Sequence, residues 1–128
     1  MSVQLSSRAP QVLIEYYRIL EAGAAAYQDG AAMRELLTDH LDFTGALAGH
    51  RPDATEGFLH GVAGFIATVK ELEIIHDVHD NSGSAVLYSA TMPGGPMTFT
   101  EFFGFENGRI ATLNLQYNGP EYLEKGGR

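Results

Sequence analysis

Cysteine is missing from this chain, which excludes disulfides, thiolate metal sites and a cysteine nucleophile and leaves the redox compartment open. Basic residues are scarce. Eight lysines and arginines stand against 16 acids, for a formal net charge of −8 and a pI near 4.9. Lys and Arg cluster nowhere, so neither nucleic acid nor an anionic membrane surface is an expected partner. The chain also lacks a run of about 18 apolar residues, the length that marks a helical membrane span. Its opening, MSVQLSSRAP, has no basic start followed by an apolar stretch, so no secretory signal is expected and the expected location is cytoplasmic. Internal repeats, low-complexity segments, Gly-rich phosphate loops, serine elbows and paired-carboxylate spacings are absent as well. No metal, and no cofactor, is expected.

What is present suits one ordinary domain. A chain of 128 residues can bury roughly two-thirds of its unfolded surface without covalent staples. The most informative stretch is MTFTEFFGFENGRIATLNLQY, residues 97–117. Asn107-Gly108 between two alternating runs is a strong hairpin signal, since both residues tolerate the positive φ of a type I′ turn. Alternation with period two puts Phe99, Glu101, Phe103 and Phe105 on one face of the first strand. On the return strand Ala111, Leu113, Leu115 and Tyr117 share a face. Glu101 is thus a carboxyl set in a row of phenylalanines.

Residues 1–9 are expected as a flexible arm, with Ser6 or Ser7 capping a helix that Pro10 opens. Residues 11–28 read as one long helix, because Leu13, Tyr17, Leu20, Ala24 and Tyr27 recur at helical spacing. Glu21 lies on the edge of that stripe. Asp29-Gly30 breaks the helix, and Asp29 is placed to cap a second one over 31–38. Residues 40–47 read as a strand and 48–52 as a loop. A third helix, capped by Asp53 or Thr55, runs to about Val69 with Phe58, Val62, Phe65, Ile66 and Val69 on one face. Gly57, Gly61 and Gly64 fall within it, each at a cost of up to ~1 kcal/mol relative to alanine. Three such residues point to close packing or to space kept open beside the helix. Residues 71–80 form the next strand, with Leu72, Ile74, His76 and Val78 on one side, and 84–92 the strand after it. Residues 119–128 read as a surface tail.

Three helices gathered early and a meander of strands later predict an α+β domain over residues 10–118. Its form is a cone-shaped half-barrel with the helices packed on a curved, mostly antiparallel sheet. A half-barrel of this kind does not fill its own wide end, and so keeps a pocket.

The stretch EAGAAAYQDGAAMRELLTDHLDFTGALAGHRPDATEGFLHGVAGF resembles the opening of SnoaL-like members of the nuclear transport factor 2-like superfamily. TEFFGFENGRIATLNLQYNG is similar to that family's last hairpin. The resemblance covers about residues 11–118 and implies a fold shared with ketosteroid isomerases, polyketide cyclases, limonene epoxide hydrolases and scytalone dehydratases. It implies that Glu101 falls where the isomerases carry an oxyanion-donating aspartic acid, and that Tyr88 and Tyr117 are pocket walls. The isomerase general base would fall near Gly45, which has no side chain, and the helix tyrosine at or one turn from Tyr17, near Glu21. Where the epoxide hydrolases would carry Arg and a second Asp, this chain has Asn114 and Leu115. The resemblance therefore disfavours those two mechanisms and leaves a cyclase-like reaction that needs one acid or base. It further implies a homodimer through the outer sheet face, which carries Leu87, Ser89, Thr98, Thr100, Phe102, Thr112, Asn114 and Gln116.

The expected pocket is lined by Tyr17, Glu21, Phe43, Phe65, His76, Tyr88, Phe99, Phe103, Leu113, Leu115 and Tyr117, with Glu101 as the catalytic candidate. Among those aromatics a carboxyl loses hydration and its pKa rises, which suits a general acid or base. The alternative is a Glu101 that faces solvent or holds a buried tyrosine or amide. His76 is either a partner for Glu101 or a core histidine. A metal at His76–Asp80 is not expected, since His76 and His79 point to opposite faces of a strand and ligands must converge. The expected ligand is a small hydrophobic molecule. Isomerisation, cyclisation or hydration of it is one reading, and a non-catalytic ligand-binding or protein-interaction module is the other.

Overall fold

A computed structural model of the chain describes residues 4–128. Helices come first: α1 (Gln11–Ala22), α2 (Ala24–Tyr27) and α3 (Ala31–Arg34). Strands β1 (Leu37–Gly45) and β2 (Gly49–Arg51) follow, then helix α4 (Thr55–Thr68). The chain continues as β3 (Glu71–Asp80), β4 (Gly83–Met92), β5 (Gly95–Glu106) and β6 (Arg109–Gln116), and ends in α5 (Gly119–Glu124). The strands form one sheet in the order β2-β1-β6-β5-β4-β3. Every pairing is antiparallel except β1 with β6. This is the expected α+β architecture: a curved, unclosed, mostly antiparallel sheet with helices against its inner face.

The hairpin of β5 and β6 closes as the sequence predicts. Asn107 and Gly108 take φ of 53° and 77°, the positive values a type I′ turn needs, and Glu106 pairs with Arg109. Along β5, Met97, Phe99, Glu101 and Phe103 alternate inward and are all buried. The core forms where this face meets Leu13, Tyr16, Tyr17, Ile19 and Leu20 of α1 and Phe58, Leu59 and Val62 of α4. Burying one such large side chain contributes ~1.5–3 kcal/mol.

Bulges in β3 and β6 change which side chains face inward. Ile74 pairs with Tyr88 and His76 with Leu87, so Ile75 is an extra residue and the phase of β3 reverses after it. His76 and Val78, expected inward, are therefore exposed, and Asp77 and His79 turn inward instead. In β6, Gly104 faces Thr112 and Phe105 faces Ile110, leaving Ala111 unpaired, and Ile110 takes the inward place expected for Ala111.

The helical boundaries differ from expectation where the backbone leaves helical space. The helix expected over 11–28 stops at Ala22, because Gly23 takes φ 88°. Gln28 and Asp29 are left-handed at φ 56° and 54°, so Asp29 lies inside a 3-10 turn and caps nothing. α3 ends at Arg34, and β1 begins within the helix expected to run to residue 38. Pro10 occupies the cap of α1 with no side-chain cap bond, so neither Ser6 nor Ser7 caps it. Ala54 likewise caps α4 in place of Asp53 or Thr55. The Thr55 hydroxyl instead accepts the Leu41 N–H at 2.9 Å, tying α4 to β1. Residues 48–52, expected as a loop, contain β2.

Both chain ends are more engaged than an arm and a tail. Residues 1–3 of the expected arm lie outside the described residues, but Leu5 packs on the core and the Ser6 N–H donates to Asp77 Oδ2 at 2.8 Å. The expected tail forms α5, capped by the Asn118 side chain at 2.9 Å from the Glu121 N–H, with Tyr122 buried. No helix among the described residues is long and apolar enough to cross a membrane.

Candidate functional site

Glu101 lies mid-sheet, paired with Val86 of β4 on one side and Leu115 of β6 on the other. Its residue is 1% exposed. Neither sheet neighbour can hydrogen-bond a carboxyl through its side chain, so partners must come from the covering helix. Successive residues of α1 supply them. The Tyr16 hydroxyl donates to Oε2 and the Tyr17 hydroxyl to Oε1, each at 2.7 Å. The two rings pack edge to face, 4.9 Å apart at 85°, which lets neighbours on one helix reach the two oxygens of a single carboxyl. Burial pushes the Glu101 pKa up, the bonds from Tyr17 and Tyr16 pull it back down, and the balance is about 7. Burial, and then the Glu101 charge, hold the Tyr16 and Tyr17 hydroxyls well above the ordinary phenol value, so both stay protonated donors.

Glu101 and Tyr16 form part of the wall of a cavity of about 530 Å³. Phe58, Val62 and Phe65 of α4 form one side, and Phe43, Leu115, Tyr117 and Tyr122 contribute the other. Gly57 and Gly61, one turn apart on α4, also face it, and a Cβ at either would meet nothing within 4 Å. Their missing side chains are part of the space. Gly64 differs, since a Cβ there would come to 3.1 Å of the Arg128 carbonyl. Tyr88 stacks on Phe99 with centroids 5.2 Å apart at 12°. Its hydroxyl has no hydrogen-bond partner among the described residues, yet no buried side-chain oxygen there is left unpaired, so this hydroxyl opens on the cavity.

Of the residues expected at the site, Phe43, Phe65, Tyr88, Phe99, Glu101, Leu115 and Tyr117 stand on the cavity wall. Tyr17 is fully buried behind Glu101 and holds it without lining the cavity. Phe103 packs against Tyr16 at 5.4 Å and Leu113 is buried in the core; neither reaches the cavity. Glu21 is exposed on the outside of α1, and the Ile75 bulge puts His76 outside. The sequence reading missed Tyr16 and Tyr122, whereas the open space it allowed beside Gly57 and Gly61 is present. For Tyr16 a signal existed, since a Tyr-Tyr pair on an amphipathic helix straddles the edge of its buried stripe.

The reversed phase of β3 builds a second buried polar group. The His79 ring bonds Ser84 Oγ through Nδ1 at 2.7 Å and Asp77 Oδ2 through Nε2 at 2.6 Å. The His79 and Asp77 side chains are only 5% and 10% exposed, and the Ser6 N–H completes the set. Burial alone would raise the Asp77 pKa, but the bonds from His79 and Ser6 outweigh it and the net direction is down. Among the described residues no three His, Asp or Glu converge on a point that could hold a metal ion.

Compared with known proteins, the chain matches no family profile and no curated protein. Solved structures do match. A steroid delta-isomerase from Pseudomonas aeruginosa superposes with a TM-score of 0.71 at 15% identity, over 97% of this chain and 89% of its own. A nuclear transport factor 2-like protein of unknown function from Cytophaga hutchinsonii superposes with 0.67 at 16% identity, over 96% and 99%. A de novo designed protein of the same fold gives 0.67 at 21% identity, over 96% and 93%. The chain has the nuclear transport factor 2-like fold. At these identities the likeness carries the fold, and the site must be argued from its own atoms.

In this nuclear transport factor 2-like chain, Gly45, Leu115 and Glu101 lie in one row across β1, β6 and β5. A Cβ on Gly45 would meet the Phe43 ring at 2.8 Å. The position where the resemblance implies an isomerase base is thus closed by an aromatic ring, and Glu101 is the carboxyl that the cavity's interior holds.

Proposed function

We propose that this chain binds a small hydrophobic molecule in the cavity and that Glu101 acts on it as a single acid/base group, in an isomerisation, cyclisation or hydration. The observation that carries this reading is a fully buried carboxyl on an apolar cavity wall, with a pKa of about 7 and both oxygens held by phenols. A group poised at neutral pH is present in both protonation states, so it can take a proton from one ligand atom and return it to another. Tyr16 and Tyr17 fix the carboxyl's orientation, and each Glu101 oxygen keeps a second lone pair for the ligand. Tyr88 offers its free hydroxyl to a ligand carbonyl or hydroxyl, and the surrounding rings exclude water and strengthen both contacts.

The missing side chain at Gly45 favours a second reading, a non-catalytic ligand-binding or protein-interaction module, since only one acid/base group faces the ligand. Glu101→Gln separates the two. In the catalytic reading the variant loses turnover by about 10²-fold or more while keeping affinity for an apolar probe such as pyrenebutanol. A variant that keeps full turnover of any substrate found by screening leaves the binding module.

The outer sheet face supports a homodimer. Phe102 is 51% exposed, and the Ile75 bulge sets Val78, at 54%, in the same cross-strand row, with Ala85 between them. A sheet face with such a row is stabilised by a second copy laid on it. A cytoplasmic location fits the same reading.

A further inference from the structure

The mouth of the cavity holds a cation that the rest of the chain does not neutralise. Acids outnumber bases 16 to 8 overall, yet at the mouth Arg51 stands near a single acidic side chain, Asp53. Asp53 is engaged, since its Oδ1 bonds His40 Nδ1 at 3.0 Å. Hydrogen bonding to Asp53, and then its charge, raises the His40 pKa, so this pair has a partner for the carboxylate built in. Arg51 has none. Its Nε–H donates to the Ala48 carbonyl at 3.0 Å, and among the described residues it forms no ion pair. That bond fixes the stem and leaves both terminal amino groups of the guanidinium for something else.

The register places Arg51 with respect to the cavity. It pairs directly with Phe43, so its side chain leaves the sheet on the inner face with that ring. From β2 to β5 are three strand spacings, about 14 Å along the sheet. Glu101 sits at the far end of that path in an apolar wall, and Arg51 at the open end. A ligand that spans both would have an apolar body, a reactive atom at one end and an anion at the other.

Resting on the binding reading above, we infer that the ligand is an apolar molecule ending in a carboxylate, held at the mouth by the Arg51 guanidinium while its body fills the cavity toward Glu101. A planar guanidinium fork matches a carboxylate in a paired geometry that lysine or a neutral donor does not reproduce. The order of charges also sets direction. A carboxylate entering first would meet Glu101 in a dry wall, which opposes it, whereas at the mouth it keeps partial hydration and gains Arg51. Arg51 is a positioning and specificity residue in this scheme, and it takes no part in proton transfer.

The test compares pyrenebutyrate with pyrenebutanol, matched in ring and chain and different in the terminal group, by fluorescence titration of the full chain. The acid is expected to bind about tenfold more tightly than the alcohol, the size of one charge-assisted contact. Arg51→Ala should abolish that preference by weakening the acid far more than the alcohol, and rising salt should shrink the preference in the parent protein alone. Equal affinity for both probes, or a preference that survives Arg51→Ala, overturns the carboxylate assignment and leaves the cavity reading standing. Failure of both probes to bind overturns the cavity reading and this assignment together. Arg51→Lys guards against a folding artefact, since it keeps the charge and should restore only part of the preference.

Discussion

Tyr16 and Glu101 are 85 residues apart in sequence and meet as a hydroxyl and a carboxylate oxygen at 2.7 Å. Tyr17 does the same on the other oxygen. Because both bonds favour the ionised form, removing either should push the Glu101 pKa further above 7. A hydrogen bond to a charged group is worth roughly 1.5–3 kcal/mol, so Tyr16→Phe and Tyr17→Phe should each raise it by about one to two units. Carbon-13 NMR of labelled carboxyls, assigned with Glu101→Gln, reads this directly. Unmoved titration in both variants would mean that the phenols do not hold the carboxyl in solution.

The same group makes stability fall with pH. A carboxyl whose folded pKa lies above its unfolded value keeps its proton more readily in the folded state. Its contribution is fully present below the unfolded value of 4.5 and is lost as pH rises through about 7. Above pH 8 the penalty for the buried charge reaches on the order of 3 kcal/mol. Glu101→Gln should therefore unfold at higher denaturant than the parent at pH 8, with the gap closing toward pH 4.5. A gap independent of pH would place the ordinary carboxyl pKa on Glu101.

Gly57 and Gly61 leave room that other side chains can occupy. Alanine at either position should stabilise the chain by up to ~1 kcal/mol through helix propensity alone. Gly61→Phe should keep the fold and lose pyrenebutanol binding. Retention of that binding would mean the probe sits elsewhere.

Phe102 and Val78 form an apolar row on the exposed face of the sheet. If a second copy covers it, Phe102→Lys should shift the protein to a monomer in sedimentation at micromolar concentration while leaving pyrenebutanol binding intact. A parent protein that sediments as a monomer removes the dimer.

Asp77 and His79 tie the start of the chain to β3 through Ser6. The lowered Asp77 pKa means its contribution is present above the unfolded value of 3.8 and is lost as pH falls through the still lower folded one. Asp77→Ala should strip protection from the Ser6 amide in hydrogen exchange and cost about 1–3 kcal/mol, since it leaves the buried His79 Nε2 without its partner while Nδ1 keeps Ser84. Unchanged exchange at Ser6 would show that the contact does not persist in solution.

Much of this protein is local information. Period-two alternation put Phe99, Glu101 and Phe103 on one face, and Asn107-Gly108 set the turn, because strand geometry and positive φ are decided by neighbouring residues. The order of helices and strands then restricts the fold to helices on a curved sheet. What needed the tertiary structure was every contact between distant segments. Nothing near Ile75 in sequence announces a bulge, since the extra residue is set by how β3 must register against β4, and that single slip sends His76 out and His79 in. The helix at Gly119–Glu124 was likewise settled by packing, with Tyr122 buried against the aromatic wall rather than solvated in a tail. The sequence could identify Glu101 as a carboxyl among phenylalanines. Only the crossing of α1 over β5 brought two phenols to it, and that crossing separates a merely buried acid from one poised near neutral pH.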